Sequence, residues 1–385
     1  MKKYFYGSHF IDQNDIKSVK QSLNNYLSQG PILKKFENKI SKYFNVKYSI
    51  AASSATAGLH LAIMSLKLEK NSIVFLPALT FVATANVCLY AGLKIELVDI
   101  CKTDFNMNLD ELEMKLSKLN KIDKKKRKLI IPVHFGGLPC DMRRIKKIAL
   151  RYNCYVLEDA SQAMGSKFES KLIGNCNYSD ACIFSLHPVK SITTGEGGLV
   201  LTNSKKIKDK TKLLRSHGLK KDNKYHWKND MIELGFNYKI TEFQSALGIS
   251  QLRKLKKFIL KRKKISEFYL DKLKKLNLKF QNYQKIRFDH AYHYFIIKFE
   301  NIQKNRIENI VHNLTKYGIY AGRQYKPINL HSFYKSKFKS KFPVSEDYFH
   351  SSIQIPIYPK LNKNDCKYIV EKLIYVIKKF SKNRK

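Results

Sequence analysis

The stretch FSLHPVKSITTGEGG, residues 184–198, joins two short apolar runs. Residues 181–184 and 199–202 each have the length and composition of a buried strand, and the glycine-rich segment between them indicates a turn. Lys190 therefore follows a buried strand, where an amine can be partly desolvated and act as a nucleophile. Considered alone, Lys190 would be interpreted by default as a surface lysine, because the chain is so rich in lysine.

An earlier strand ends in acidic residues. The apolar residues 155–157 are followed by Glu158 and Asp159, and Asp159 precedes Lys190 by 31 residues, since 190 − 159 = 31. An acid at the carboxyl end of a parallel strand faces the crevice where ligands bind. Pyridoxal 5′-phosphate enzymes need a lysine for a Schiff base and an acid that pairs with the pyridinium nitrogen. The pair predicts this cofactor.

A third segment suits a phosphate group. Ser53, Ser54, Ala55 and Thr56 open a helical run, and a helix start offers free backbone N–H groups and the positive end of a dipole. Alone, such a start is more often an ordinary N-cap. With Asp159 and Lys190 it completes the set of phosphate site, ring acid and Schiff-base lysine.

Several further stretches match one family. They are SQGP at 28–31, SATA at 54–57, TFVATAN at 80–86, PVHFGG at 132–137, EDASQA at 158–163, RSHG at 215–218 and ELGFNY at 233–238. With them the chain resembles, over nearly its whole length, the DegT/StrS-type sugar aminotransferases. The resemblance implies an α/β, aspartate-aminotransferase-like fold (fold type I). The lysine segment, DMIE at 230–233 and YKPI at 325–328 look most like the branch that makes the 4-amino sugar intermediate of pseudaminic acid.

The resemblance implies roles around the cofactor. Lys190 would bond to it covalently, Asp159 would pair with the pyridinium, Gln162 would lie near the phenolic oxygen and Phe81 would stack on the ring. The phosphate would be bound by Ala55, Thr56 and Ser185, and by Asn237 of a neighbouring subunit in a homodimer. Without the resemblance, Phe81 would read as a core residue and Asn237 as a turn residue.

The resemblance also implies a substrate side. The residues assigned to the sugar nucleotide are Tyr6, Tyr26, Ser28, His187, Arg323, Gln324 and Tyr325, although the first two are equally typical of surface aromatics. The implied reaction moves an amino group from glutamate to C4 of a UDP-linked 4-keto-6-deoxy-N-acetylhexosamine. Family members with histidine at the lysine position carry out dehydration, so Lys190 favours transamination.

Three departures from the branch leave the sugar open. Gln162 stands where the branch has histidine, and Lys239 follows Asn-Tyr where arginine is usual. The stretch GRQY, 322–325, replaces Gln-Val-His-Tyr. Glutamine can still donate to a phenolate, whereas an added arginine changes charge and reach. A different nucleotide-linked keto sugar is therefore the alternative substrate.

The order of elements predicts the architecture. Helical runs at 14–28, 32–43, 57–66 and 141–152 alternate with strands at 73–76, 94–98, 129–133, 155–157, 181–186 and 199–202, which favours a largely parallel sheet between helices. Helical runs at 258–276, 302–317 and 363–380, with a strand at 292–299, follow. With 385 residues, two domains are expected: residues 1–250, which bind the cofactor, and a smaller domain, 251–385.

Composition limits the other classes. The net charge is 73 − 31 = +42, which would fit a nucleic-acid-binding protein. The basic residues are spread along the chain, however, and no helix-turn-helix, RNP or zinc-finger pattern occurs, so this remains the minor alternative. Seven scattered cysteines without a Cys-x-x-Cys pair indicate reduced thiols and no metal site. No signal peptide or run of ~18 apolar residues is present, and a cytoplasmic protein without a membrane span is expected.

Overall fold

The computed structural model describes residues 2–24, 26–122, 127–222, 224–225, 227–282, 286–300, 302 and 304–382. Lys124, Lys125 and Lys126, which belong to the basic run KKKRK at 124–128, lie outside the described residues. The helices are α1 Gln13–Ser22, α2 Pro31–Phe44, α3 Ala55–Ser65, α4 Val82–Tyr90, α5 Leu109–Ile122, α6 Met142–Arg151, α7 Lys205–Arg215, α8 Glu242–Leu252, α9 Leu255–Leu273, α10 Lys304–Lys316, α11 Ser332–Lys335, α12 Pro343–Ser351 and α13 Lys363–Lys382.

The strands are mostly short. They are β1 Tyr4–Phe5, β2 Tyr48–Ala52, β3 Ile73–Pro77, β4 Lys94–Val98, β5 Lys128–Ile130, β6 Cys154–Asp159, β7 Lys167–Phe168, β8 Lys171–Leu172, β9 Ala181–Ser185, β10 Gly198–Thr202, β11 Leu219–Lys221, β12 Asn229–Met231, β13 Leu278–Lys279, β14 Phe288–Asp289, β15 Phe295–Phe299, β16 Ile319–Tyr320 and β17 Ser352–Ile355.

A seven-stranded sheet forms the centre, in the order β2-β10-β9-β6-β5-β3-β4. Its pairs are parallel except that β10 runs antiparallel to β9 and β2. In this register Gly198 lies opposite both Ala52 and Ser185, and Asp159 lies opposite Ile183. The phosphate, acid and lysine segments therefore meet at the end of the sheet where strands β6 and β9 terminate.

Helices cover both faces of this sheet. One buried cluster includes Phe36 and Ile40 of α2 with Ile145 and Ile148 of α6, and the other includes Leu59 of α3 and Val87 of α4. Helix α6 shows why these segments are helical: its buried residues recur at helical spacing, and Asp141 caps it by accepting from the Arg144 amide. The predicted layered α/β sheet is confirmed.

A separate hydrophobic cluster holds the C-terminal elements together. The sheet β13-β15-β17 packs with α9, α10 and α13 through residues such as Tyr269, Ile297, Ile310 and Leu373. Strand β1 joins this region, because it pairs in parallel with β16. The boundary between residues 250 and 251 stays a prediction.

The helix predicted over 14–28 was too long. Helix α1 ends at Ser22, and Ser28 instead forms an isolated bridge with Thr241. The apolar residues that extended the pattern, Tyr26 and Leu27, are exposed, so no buried face continues the helix. Among the described residues, no helix is long and apolar enough to cross a membrane.

Candidate active site

Lys190 lies in the tight loop that follows β9. Its amide donates to the His187 carbonyl at 2.9 Å, and the Thr194 amide closes the loop on the Leu186 carbonyl at 3.0 Å. The residue as a whole is half-buried, and the surrounding protein lowers the pKa of its amine from 10.5 to about 8. Burial is the main cause, while the Asp159 carboxylate opposes it by raising the pKa.

Asp159 is fixed at the end of β6. It is 5% exposed, its Oδ2 accepts from the Thr84 hydroxyl at 2.8 Å, and its Oδ1 accepts from the Ser161 amide at 3.1 Å. The Thr84 hydroxyl lies 2.9 Å from that of Thr80. A chain of hydroxyls from the start of α4 therefore orients an acid that electrostatics couples to Lys190.

Helix α3 begins beside these groups. Ser54 caps it by accepting from the Ala57 amide at 3.0 Å, and the Gly58 amide donates to the Ser54 carbonyl. The amides of Ala55 and Thr56 belong to the first turn, which has no intrahelical acceptors. A Cβ on Gly198 would lie 2.2 Å from the Ser54 oxygen, so only glycine lets β10 approach this turn so closely.

Gln162 and Tyr325 meet across the site. The Gly136 amide donates to Gln162 Oε1 at 2.7 Å, which turns Nε2 toward the Tyr325 hydroxyl at 3.4 Å. That hydroxyl also lies 2.8 Å from the hydroxyl of Tyr294. The ring of Tyr325 is 5.5 Å from that of Phe81, which is 52% exposed and has one face available for stacking.

The other predicted residues divide into two groups. Ser185 ends β9 and His187 lies on the Lys190 loop. The ring of Tyr6 packs against that of Tyr294, with 6.2 Å between the ring centroids, so the structure brings these three to the site. The pKa of His187 is lowered, chiefly by burial. Tyr26, Ser28 and Asn237 have other surroundings. Tyr26 is 68% exposed, Ser28 pairs with Thr241, and the exposed Asn237 accepts from Lys239 Nζ at 2.6 Å.

Arg323 is paired with Glu308 and Phe349. Its guanidinium donates to Glu308 Oε1 at 3.1 Å and to the Phe349 carbonyl at 2.9 Å, and it lies over the Phe349 ring. Gln324 is fixed through its backbone, because its amide donates to Gln354 Oε1 at 2.8 Å. Its carbonyl accepts from Gln354 Nε2 at 3.1 Å and from the Tyr348 hydroxyl at 3.2 Å.

Sequence reasoning missed several of these groups. Thr84 lies within the quoted stretch 80–86, so a search for a hydroxyl near the acid would have found it. Tyr294, just before β15, and Gln354, in β17, come from distant parts of the chain and carry no local signal. The same holds for buried His293, whose pKa is lowered by burial and by the charges of Lys190 and Arg262.

The arrangement fits pyridoxal 5′-phosphate. It supplies an amine with a lowered pKa, a fixed carboxylate that can face a ring nitrogen, and helix amides for a phosphate. No group of three or more metal-ligating side chains occurs among the described residues. Together, fold and site define the class of fold type I enzymes that depend on pyridoxal phosphate.

Comparison with known proteins identifies the family. Residues 9–374 match the DegT/DnrJ/EryC1/StrS aminotransferase family. The chain is 37% identical over 383 residues to a UDP-4-amino-4,6-dideoxy-N-acetyl-beta-L-altrosamine transaminase of Campylobacter jejuni, with 98% of each covered. It is 31% identical over 346 residues to the GDP-perosamine synthase of Escherichia coli O157:H7, with 90% of each covered.

A solved structure agrees with these sequence matches. PseC of Helicobacter pylori, described as an aminotransferase involved in the biosynthesis of pseudoaminic acid, has a TM-score of 0.91 at 28% identity. The match covers 98% of this chain and 100% of that one. The chain belongs to the DegT/DnrJ/EryC1/StrS aminotransferase family and is a sugar aminotransferase that depends on pyridoxal phosphate. The predicted family, fold, enzyme class and cofactor are confirmed.

Proposed function

We propose that this enzyme transfers an amino group from glutamate to C4 of a UDP-linked 4-keto-6-deoxy-N-acetylhexosamine, as in pseudaminic acid biosynthesis. The observation that carries the proposal is the placement of Asp159 at the end of β6 and Lys190 just after β9, where the two charges interact. The chain that places them so is 37% identical to a transaminase named for such a sugar. The reaction is expected to run in the cytoplasm, where the free cysteines of the described chain would stay reduced.

The cofactor would be held by residues from four elements. Lys190 would bond to it, Asp159 would pair with its ring nitrogen, and Ala55, Thr56 and Ser185 would bind its phosphate. Phe81 would stack on the ring, and Gln162 would donate to the phenolic oxygen. Bound in this way, pyridoxal phosphate accepts electrons from the carbon that loses a proton.

Lys190 would also carry the proton. At pH 7 a pKa of about 8 leaves about a tenth of the amine neutral, against less than about a thousandth at 10.5. The Nζ atom can therefore take a proton from the donor carbon that loses the amino group. In the second half of the reaction it can give a proton to the sugar carbon that receives the amino group. The hydrogen bond from Thr84 fixes the orientation of the Asp159 carboxylate. The carboxylate therefore does not have to reorient during the reaction.

The sugar nucleotide would lie against Tyr6, His187, Gln324 and Tyr325. Asn237 would reach the cofactor phosphate of a neighbouring subunit in a homodimer. Tyr26, which is exposed, and Ser28, which pairs with Thr241, would line the sugar-nucleotide side. Arg323 is already paired with Glu308, and its predicted part in sugar selection remains to be tested by mutation.

A second candidate is an aminotransferase for a different nucleotide-linked keto sugar. The observation that favours it is the 31% identity to a GDP-perosamine synthase, together with the GRQY stretch at 322–325. The minor alternative of nucleic-acid binding rests on the net charge of +42 alone.

One experiment separates these candidates. The purified enzyme, loaded with cofactor, is incubated with glutamate and a panel of UDP-, dTDP- and GDP-linked keto sugars, and amination is followed by mass spectrometry. The proposal expects the UDP-linked 4-keto-6-deoxy-N-acetylhexosamine to react with the highest kcat/KM. Preferred amination of a GDP- or dTDP-linked sugar would establish the second candidate instead.

A further inference from the structure

A basic cavity lies outside the site around Lys190. It has a volume of about 350 Å³ and opens between α2, the edge strand β2 and α7. We call it the basic groove and define it by its cations, Lys34, Lys47, Lys208, Lys212, Arg215 and Lys239. Six of its fifteen described lining residues are Lys or Arg, against 73 of 385 in the whole chain, so the groove is richer in positive charge than even this basic protein.

Arg215 forms the floor of the basic groove and is built in. It is 9% exposed, and its Nη1 donates to Glu37 Oε1 and to the Ala51 carbonyl, both at 2.7 Å. Glu37 in turn accepts from the Ala51 amide at 3.0 Å. Among the described residues, the buried Nε of Arg215 has no hydrogen-bond partner. The fixed guanidinium therefore adds a permanent positive charge to the groove lining.

The positive charge of the basic groove exceeds its negative charge. Glu37 is the one acid among the described lining residues, and it is shared by Arg215 at 2.7 Å and Lys212 at 3.7 Å. Lys208 is paired with Asp209. In the described part of the chain, no carboxylate pairs with Lys34, Lys47 or Lys239. Holding these cations near one another is unfavourable, and a bound anion would relieve it.

The rest of the lining is polar. Apart from Leu33, the basic groove offers mainly amides and hydroxyls, among them Asn38, Ser41 and Ser49. Small-molecule sites for uncharged ligands are mostly apolar, and this one is not. Its volume suits a small group rather than the long, open surface along which a nucleic acid is bound.

We propose that the basic groove binds a diphosphate group. Two sources share this chemistry: a free diphosphate or nucleotide, and the diphosphate of a sugar nucleotide bound by a neighbouring subunit. The second is geometrically open, because Gln29 and Lys239 line the groove and adjoin Ser28 and Asn237. The proposal does not depend on which sugar the enzyme aminates.

The test uses inorganic pyrophosphate as the probe. Enzyme loaded with pyridoxal phosphate, so that the cofactor phosphate site is filled, is titrated calorimetrically at physiological ionic strength. The groove variant is Lys34→Gln with Lys47→Gln and Lys212→Gln, which leaves buried Arg215 in place. The control, Lys256→Gln with Lys263→Gln and Lys264→Gln, removes three exposed charges from α9 and gives the same net charge.

The groove variant is expected to weaken pyrophosphate binding about tenfold or more, and the control variant by less than about twofold. Equal weakening in both variants, or no saturable binding to the unmodified enzyme, would overturn the proposal. Thermal unfolding of each variant checks that the fold is retained. A parallel titration with UDP identifies the source: a matching loss for UDP assigns the groove to the sugar nucleotide, and an unchanged UDP affinity assigns it to a separate ligand.

Discussion

At the scale of single residues, the chemistry of Lys190 is set by opposing electrostatic effects. Burial and the charge of Arg262 lower the pKa of the amine, and Asp159 raises it, with a net value of about 8. Nearby His293 is buried and feels the charges of Lys190 and Arg262, so its pKa is lowered too and it stays neutral. These neighbouring groups therefore support the proposed role of Lys190 as the nucleophile.

The pKa of Lys190 gives a prediction about pH. The neutral amine is the reactive form, so the rate at which apoenzyme takes up pyridoxal phosphate should rise with pH and level off above about pH 8. In Asp159→Asn the charge that raises this pKa is gone, and the midpoint should move to lower pH. Asp159→Glu, which keeps the charge, should stay near pH 8. Absorbance during cofactor uptake measures the midpoint of all three enzymes, and a midpoint near pH 10.5 would show that Lys190 is not desolvated.

Peptide mapping after borohydride reduction should place the label on Lys190.

Asp159 itself should control turnover. Asp159→Asn retains the shape and the Thr84 contact but removes the charge that would keep the ring nitrogen protonated. We expect kcat to fall by roughly 10²–10⁴ with modest loss of cofactor, since the helix amides at Ala55 and Thr56 are unchanged. Thr84→Val, which frees the carboxylate without neutralising it, should cause a smaller loss. An Asn variant with normal kcat would show that another group pairs with the ring.

Arg323 and Gln324 allow a direct test of sugar selection. If Arg323 contacts the sugar nucleotide, Arg323→Val should lower kcat/KM about ten- to hundredfold and Gln324→His should change the preference among UDP-keto sugars. The pairing of Arg323 with Glu308 and the Phe349 carbonyl favours a different result, in which the melting temperature falls while the preference is kept. The kcat/KM values of both variants across the sugar panel, with Glu308→Gln as control, decide between the two.

At the scale of elements, strand β17 positions Tyr325. Gln354, 1% exposed, satisfies both backbone groups of Gln324, the residue before Tyr325, and donates to the Tyr348 hydroxyl at 2.8 Å. Tyr325 in turn meets Gln162 and Tyr294 beside the cofactor site. The position of one active-site hydroxyl therefore depends on a buried amide in another part of the chain.

Gln354→Leu should loosen this arrangement. It removes the acceptor of the Gln324 amide and leaves the Gln324 carbonyl with the Tyr348 hydroxyl as its remaining partner. An unpaired backbone group typically costs about 1–3 kcal/mol if it stays buried. We expect a lower melting temperature and a larger rise in KM for the sugar nucleotide than for glutamate. Gln354→Glu keeps the acceptor for the Gln324 amide and should recover part of both. Equal changes in both KM values would mean that Gln354 serves stability alone.

Local patterns explain which elements could be predicted from the sequence. Helix α6 and strands β3, β4 and β9 were found because each buries a regular apolar face or run. Helix α1 was extended past Ser22 because Tyr26 and Leu27 fit its period, although both are exposed. Lys190 and Asp159 could be proposed from the sequence because Asp159 ends β6 and Lys190 lies in the loop after β9. Tyr294 and Gln354 were not, since their roles arise from contacts between distant segments.

At the scale of the whole molecule, the charge of +42 is distributed rather than focused. Many basic side chains pair locally, as Lys115 does with Glu96 and Lys254 with Asp15. Charge spread in this way favours weak, salt-sensitive contact with any polyanion. The basic groove is the exception, because its cations converge on one cavity.

Assembly is the last prediction, and it rests on the position of Asn237. This residue is exposed and bridges to Ser216, and the family resemblance implies that it reaches the cofactor phosphate of a second subunit. In a symmetric homodimer each site would combine Lys190 of one chain with Asn237 of the other.

Lys190→Ala and Asn237→Ala enzymes should each be nearly inactive. Mixing them after reversible dissociation should restore activity, because each hybrid dimer has one intact site. With random exchange half of the dimers are hybrids, so about a quarter of the unmodified activity is expected. Mixing Lys190→Ala with Asp159→Asn is the control, since both changes fall in the same chain's site and every hybrid stays impaired. No recovery in the first mixture, with subunit exchange confirmed by mass spectrometry, would show that each chain builds its site alone.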